Sequence, residues 1–240
     1  MTLKRLFHEG NLAVGQTVTL TDFASRHAVQ VLRMRTGDSV VLFNGQGGEY
    51  SATLSQAGKK TQALIESSID VSRESPFNVH LLQGISRSER MDYVIQKATE
   101  LGVHRITPIV TERTIVKLSS DKIEKRMNHW TGVCMHACEQ SGRTALPILD
   151  KPVSLSTAIK DSFDGLSLVL DPQAVQPLPK DAVQACRVLI GPEGGLSDNE
   201  LTSARELGFS GVQIGPRVLR TETAPVVILS ILGDRYGDLS

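Results

Sequence analysis

Two glycine-rich stretches near the end of this 240-residue chain constrain its fold most: Ile190-Gly191-Pro192-Glu193-Gly194-Gly195-Leu196-Ser197 and Ile214-Gly215-Pro216-Arg217-Val218-Leu219-Arg220-Thr221-Glu222-Thr223-Ala224. Each begins where a short apolar run stops, Arg187 to Ile190 and Val212 to Ile214, and each ends where a helical pattern starts. Two such turns at strand C-termini build a ligand crevice in an open α/β sheet. The first has neither the Lys-Ser/Thr of a phosphate loop nor the three spaced glycines of a dinucleotide fold. Gly194-Gly195 permits close backbone approach and Glu193 adds a carboxylate, so ligand contact and a plain turn both stay open. In the second, two arginines flank an apolar pair; substrate contact and solvated arginines on a capped helix stay open as well.

The rest of the second half supplies a sheet for these turns. Strands are expected at Phe77 to Leu82, Arg105 to Val110, Leu166 to Leu170, Val188 to Ile190 and Val212 to Ile214. Between them fall helical patterns. One follows Ser86-Arg87-Ser88-Glu89, which has capping-box spacing, and carries Met91, Val94, Ile95, Ala98 and Leu101 to Gly102. A second runs from a Ser120 cap to about Ser141; others span about Ser154 to Phe163, Asp198 to Leu207 and Ala224 to Tyr236. Such alternation implies a mainly parallel sheet covered on both faces. The polar Ser72-Arg73-Glu74-Ser75-Pro76 reads as a domain boundary, giving domains 1–72 and 73–240. The first domain reads as a β meander with one helix, Asp22 to Arg33. Its strands are Val18 to Leu20, Ser39 to Phe43, Glu49 to Leu54 and Gln62 to Ile69, with a hairpin signal at Asn44-Gly45. This pattern suggests a small barrel.

Lys+Arg 26 balance Asp+Glu 26, which argues against a broadly basic, nucleic-acid-coating protein but leaves room for a local patch. Arg26, His27, Arg33 and Arg35, with Lys4 and Arg5, form such a cluster, with only Asp22 and Asp38 nearby. It reads as a solvated helix face or as a phosphate-contact patch. No apolar run approaches a membrane span, and Met1 to His8 is charged without a following apolar region, so a cytoplasmic location is expected. Three cysteines suit a reducing compartment. Cys134 and Cys138 share a helix face but His136 points elsewhere, so no metal is expected there. Gly142 and Arg143 suit a helix C-terminus, although Glu139 and Arg143 could also reach a crevice or a partner chain. No nucleophile elbow or Ser-His-Asp order is visible.

Taken together, these residues resemble the bacterial 16S ribosomal RNA uridine-N3 methyltransferases of the SPOUT class. The resemblance spans nearly the whole chain: Arg26-His27 with Val31-Leu32-Arg33, Gln96 to Gly102, Thr111-Glu112-Arg113, Ala137 to Arg143, Ile190 to Ser197 and Gly215 to Ala224. Ile214 and Val218 replace the family's frequent Leu and Ile, each keeping an apolar side chain.

The resemblance implies a PUA-like RNA-binding barrel followed by an α/β methyltransferase domain with a C-terminal trefoil knot, acting as a homodimer. It implies S-adenosylmethionine as cofactor and 16S rRNA of the 30S subunit as substrate, with no metal and no membrane. The implied cofactor contacts are Leu170, Ile190, Gly191, Gly195, Ile214, Gly215, Leu219 and Thr223. Arg26, His27, Arg33 and Arg35 become the RNA patch. Arg220 becomes the first candidate to stabilise charge on the uracil, with Arg143 or Arg87 from a partner chain, and Glu193, Glu139 and Glu222 as candidate proton acceptors. A second reading, a non-catalytic RNA-binding protein of ribosome assembly, uses the patch but has no use for the two loops.

Overall fold

The computed structural model describes residues 4–115, 120–176, 178–179 and 183–239. The chain forms two compact units: residues up to Glu74 with Met135–Leu146, and Ser75–Cys134 with Pro147 onward.

The first unit is a five-stranded sheet with one helical segment. Its strands are β1 (Arg5–Phe7), β2 (Thr17–Thr19), β3 (Ser39–Phe43), β4 (Glu49–Gln56) and β5 (Gln62–Ile69), in the spatial order β1-β3-β4-β5-β2. Strand β1, which the sequence pattern did not disclose, pairs parallel with β3; the other pairs are antiparallel. Alternate residues Ala52, Leu54, Ala63 and Ile65 turn inward and pack with Leu6, Leu20, Ala28 and Leu42. The expected two-residue hairpin is a longer loop between Phe43 and Glu49, in which Gly45, Gly47 and Gly48 take positive φ. Helix α1 (Asp22–Arg26) is capped by Thr21, whose Oγ1 accepts from the Ala24 N–H at 3.2 Å. It continues as a π-helical turn, His27–Val31, and stops short of the expected Arg33, which sits at φ 54. The end of the long helix belongs to this unit too. Residues 135–146 lie beyond the boundary that the polar segment 72–76 suggested.

The second unit is a parallel α/β sheet. Its elements are β6 (Asn78–Gly84), α2 (Ser88–Glu100), β7 (Arg105–Val110), α3 (Ser120–Ser141, to Cys134 in this unit), β8 (Ile148–Leu149), β9 (Val153–Ser154), α4 (Leu155–Ala158), β10 (Leu166–Leu170), β11 (Ala185–Ile190), α5 (Asp198–Glu206), β12 (Ser210–Val212) and α6 (Thr223–Tyr236). The strand order is β12-β10-β11-β6-β7-β8, with β9 also on β7, and every pair is parallel. Successive strand residues serve opposite faces. Leu81, Leu168 and Val188 pack with Met91, Ile95, Trp130 and Ile228 of α2, α3 and α6. Leu82, Val169 and Leu189 pack with Leu155, Ile159 and Ala204 on the other side.

Several local expectations change. The helix expected from Ser154 to Phe163 is only the one turn of α4, and β8 and β9 were unforeseen. The capping box expected at Ser86–Glu89 does not form: Arg87 is the N-cap without a side-chain bond, and Ser86 Oγ turns to the Gly84 carbonyl. A capping box forms instead at Ser197 and Glu200 of α5. The Ser120 cap lies outside the described side chains. No helix among the described residues is long and apolar enough to cross a membrane.

Candidate functional site

Three neighbouring parallel strands, β10, β11 and β12, end at one edge of the second unit, and the chain turns away from each in a loop. Between these loops lies a cavity of about 820 Å³, within the usual range for small-molecule sites. Its apolar walls are Leu170, Ile190, Ile214 and Leu219. Gly191, Gly195 and Gly215 bring backbone to its surface. Gly195 and Gly215 have φ of 70 and 68, left-handed values that favour glycine. A Cβ on Gly215 would meet nothing within 4 Å, so this backbone faces open space.

The loops are fixed by buried polar contacts. Thr221 Oγ1 donates to the Gly191 carbonyl at 2.8 Å and accepts from Gln83 Nε2 at 3.1 Å. Ser86 Oγ lies 3.4 Å from the same hydroxyl. Gly84 is required where β6 meets this loop, because a Cβ there would lie 2.3 Å from the Pro192 nitrogen. Arg113 donates to the Gly194 and Leu196 carbonyls at 3.0 and 3.2 Å and so braces the first loop.

The charged groups divide into spent and available ones. Glu193 accepts the Arg87 N–H at 3.0 Å and lies 3.4 Å from Arg90. Burial would raise its carboxyl pKa, but the backbone N–H groups of Arg87 and Glu193 and the charges of Arg90 and Arg87 outweigh it and hold the group below its ordinary value. Such a carboxylate is poorly matched to accept a proton near neutrality. Arg90 also lies 3.7 Å from Glu222, whose Oε2 is buried without a hydrogen bond. Arg220 lines the cavity with its side chain 78% exposed, its guanidinium 4.0 Å from Glu222. It is therefore a cation available at the cavity mouth.

Seven of the eight expected cofactor residues line this cavity; Thr223 does not, and its N–H donates to the Arg220 carbonyl at the start of α6. Arg220 and Glu193 also line it. Arg143 does not: its guanidinium is buried in the first unit against Glu74, 2.7 and 2.8 Å away. The Glu74 carboxyl is held below its usual range. Burial opposes this, but N–H groups of Ala145 and Thr144 and the Arg143 charge prevail. Glu139 is buried in the first unit as well, accepting the Phe7 N–H at 3.0 Å. Sequence reasoning missed Arg90, Arg113, Thr221 and Gln83 as parts of this site; their partners are distant in sequence.

In the first unit, Arg26, Arg33 and Arg35 are exposed. Arg5 is not part of that surface. It pairs with Glu49 at 3.0 Å and donates to the Arg143 carbonyl at 2.9 Å. His27 also leaves the patch, lying 3.0 Å from Glu139 Oε2. The three cysteines are buried, and burial pushes the Cys186 thiol up to about 12.

Comparison with known proteins agrees with this architecture. An RNA methyltransferase domain model matches residues 73–233 and an RNA methyltransferase PUA domain model matches 20–65. The chain is thus an α/β RNA methyltransferase with a PUA domain. Within that class it belongs to the ribosomal RNA small subunit methyltransferase E family. The family member of Buchnera aphidicola is 30% identical, covering 99% of this chain and 98% of its own. That of Bacillus subtilis is 30% identical over 90% and 89%. Among solved structures, a Legionella pneumophila methyltransferase in complex with S-adenosylmethionine matches with TM-score 0.96 and 40% identity over all of both chains. A Neisseria gonorrhoeae ribosomal RNA small subunit methyltransferase E bound to S-adenosylmethionine gives TM-score 0.91 and 35% identity, covering 99% of this chain and 100% of that one.

Proposed function

We propose that this protein transfers a methyl group from S-adenosylmethionine to N3 of one uridine in 16S ribosomal RNA of the small subunit. The observation that carries the reading is the joining of both glycine-rich loops around one cavity, with Arg220 exposed at its mouth. Cavity size, apolar walls and glycine backbone suit an adenosine-bearing ligand. Leu170, Ile190, Gly191, Gly195, Ile214, Gly215 and Leu219 would hold it, and Thr223 orders the loop through the Arg220 carbonyl. When bound, the cofactor supplies a methyl group already activated on a sulfonium.

The chain's task is then to present and ionise the base. N3 lies on the Watson–Crick edge, so the uridine must be unpaired or flipped out. Loss of the N3 proton leaves negative charge on N3, O2 and O4. Arg220, always charged and rich in donors, stabilises that charge. Glu193 is anchored by Arg87 and Arg90, which makes it an organiser of the loop rather than the proton acceptor. Glu222, with Oε2 unbonded, fits the acceptor role better. Exposed Arg26, Arg33 and Arg35 contact RNA phosphates, which position the substrate without reading sequence.

The reading includes a SPOUT-type trefoil knot at the two loops, which the Thr221 bridge to the Gly191 carbonyl would hold together. It also includes a cytoplasmic homodimer; Arg143, buried against Glu74, is left out of the uracil site. The decisive experiment incubates purified protein with labelled S-adenosylmethionine and either 30S subunits or free 16S rRNA. Label in RNA supports the reading; none in either substrate favours a non-catalytic RNA-binding protein.

A further inference from the structure

His27, His136 and Glu139 lie outside the catalytic cavity, all in the first unit, and converge on one point. The Nδ1 atoms of both histidines approach the same carboxylate oxygen, Glu139 Oε2, at 3.0 and 2.9 Å. All three ligand atoms fall within 4.8 Å of one another. We propose that these side chains form a binding site for one divalent transition-metal ion of the zinc type.

Four observations carry this. First, the buried Nδ1 of His27 makes no hydrogen bond, although a carboxylate oxygen lies 3.0 Å away. Its lone pair or proton is directed off the line to Oε2, whereas His136 Nδ1 hydrogen-bonds to that oxygen at 2.9 Å, so the unspent donor is that of His27. Second, around a tetrahedral zinc with bonds of roughly 2.0–2.1 Å, neighbouring donors sit about 3.3 Å apart. The two imidazole–carboxylate spacings of 3.0 and 2.9 Å are close to this, and the three donor atoms lie within 4.8 Å of one another, so a rotation of the imidazoles brings the set to a common ion. Third, the carboxylate is oriented from behind, since Glu139 Oε1 accepts the Phe7 N–H at 3.0 Å. Metal-ligating carboxylates are characteristically held this way. Fourth, His27 opens the π-helical turn that extends α1, a local distortion that frequently marks functional positions.

The chemistry of the set selects the ion. Two imidazoles and one carboxylate suit zinc, cobalt or nickel rather than calcium or magnesium. Cys138 does not join: its thiol donates to the Ala145 carbonyl at 3.6 Å. The His136 side chain is 44% exposed whereas that of Glu139 is 6% exposed, so the site opens to solvent on the His136 side. Three protein ligands with an open edge leave a position for water. The ion would clamp the π turn to the end of α3 within the first unit. No step of methyl transfer depends on it.

The test uses untagged full-length protein stripped with a chelator and titrated with Co²⁺ and then Zn²⁺. The expected result is one equivalent of Co²⁺ with visible ligand-field bands, displaced by Zn²⁺, and a Zn²⁺-dependent rise in Tm. His136→Asn, at a half-exposed helix position, should fold, weaken binding more than about 10-fold and abolish the Tm response. His129→Ala removes an exposed histidine elsewhere on α3, one that pairs with Asp92 of α2, and should change neither. Absence of Co²⁺ bands in the wild-type protein, undiminished affinity in His136→Asn, or loss of binding in His129→Ala would each overturn the proposal.

Discussion

Thr221 donates its hydroxyl proton to the carbonyl of Gly191, 2.8 Å away and thirty positions earlier in the chain. The same oxygen receives the amide of the fully buried Gln83. One side chain thereby ties together the ends of the two loops and the strand between the sheet halves. Thr221→Val keeps the shape and removes both bonds. Leaving buried polar groups unmatched costs about 1–3 kcal/mol, so we expect S-adenosylmethionine affinity, measured by calorimetry, to fall about 10-fold or more in a folded protein. Unchanged affinity would show that the loops hold their geometry without the bridge.

Arg220 should behave differently. Its head is exposed at the cavity mouth, and its contribution arises only when the uracil carries charge. Arg220→Ala is expected to lower kcat about 100-fold while leaving cofactor affinity intact. Single-turnover methyl transfer and calorimetry, run on the same preparation, separate the two effects.

The exposed arginines of the first unit make an electrostatic prediction. In Arg26, Arg33 and Arg35, triple substitution to Ala should reduce the slope of log K against log salt for RNA binding by about 2–3, one counterion per lost phosphate contact. Cofactor affinity should not change. An unaltered salt slope would remove these residues from the RNA surface.

His80 gives the second unit an acid sensitivity. Burial, with Arg105 adding to it, pushes its pKa down to about 4, while its Nε2 contacts the Thr107 hydroxyl at 2.7 Å. The unfolded chain binds the proton near 6.5, so stability contributed by neutral His80 is whole above that value and is lost as pH falls from about 6.5 to 4. The loss is of order 2–3 kcal/mol over that window. Thermal unfolding between pH 7 and 4.5 should show a steeper decline in the wild-type protein than in His80→Gln.

The regular part of this fold was legible because strand residues alternate between two covered faces. Leu81 and Leu82, or Val188 and Leu189, divide between the helix layers as apolar runs of buried parallel strands should. The crevice was legible too, since Gly195 and Gly215 need left-handed backbone after a strand. What sequence hid was pairing at a distance. Arg5 looked like a surface cation and is spent on Glu49; Arg143 looked available and is held by Glu74. Glu193 looked like a base, but the Arg87 N–H and Arg90 occupy it. Short β1, β8 and β9 carry too few residues for periodicity to register. The π turn at His27 has no sequence period of its own.

The central claim is that this cavity serves methyl transfer to the Watson–Crick edge of a uridine. Its most direct test is complete nuclease digestion of RNA methylated by the protein, with the labelled nucleoside identified by chromatography and mass spectrometry. The account predicts label in N3-methyluridine at a single position of 16S rRNA. Label on a ribose hydroxyl, on C5 or on another base would contradict it.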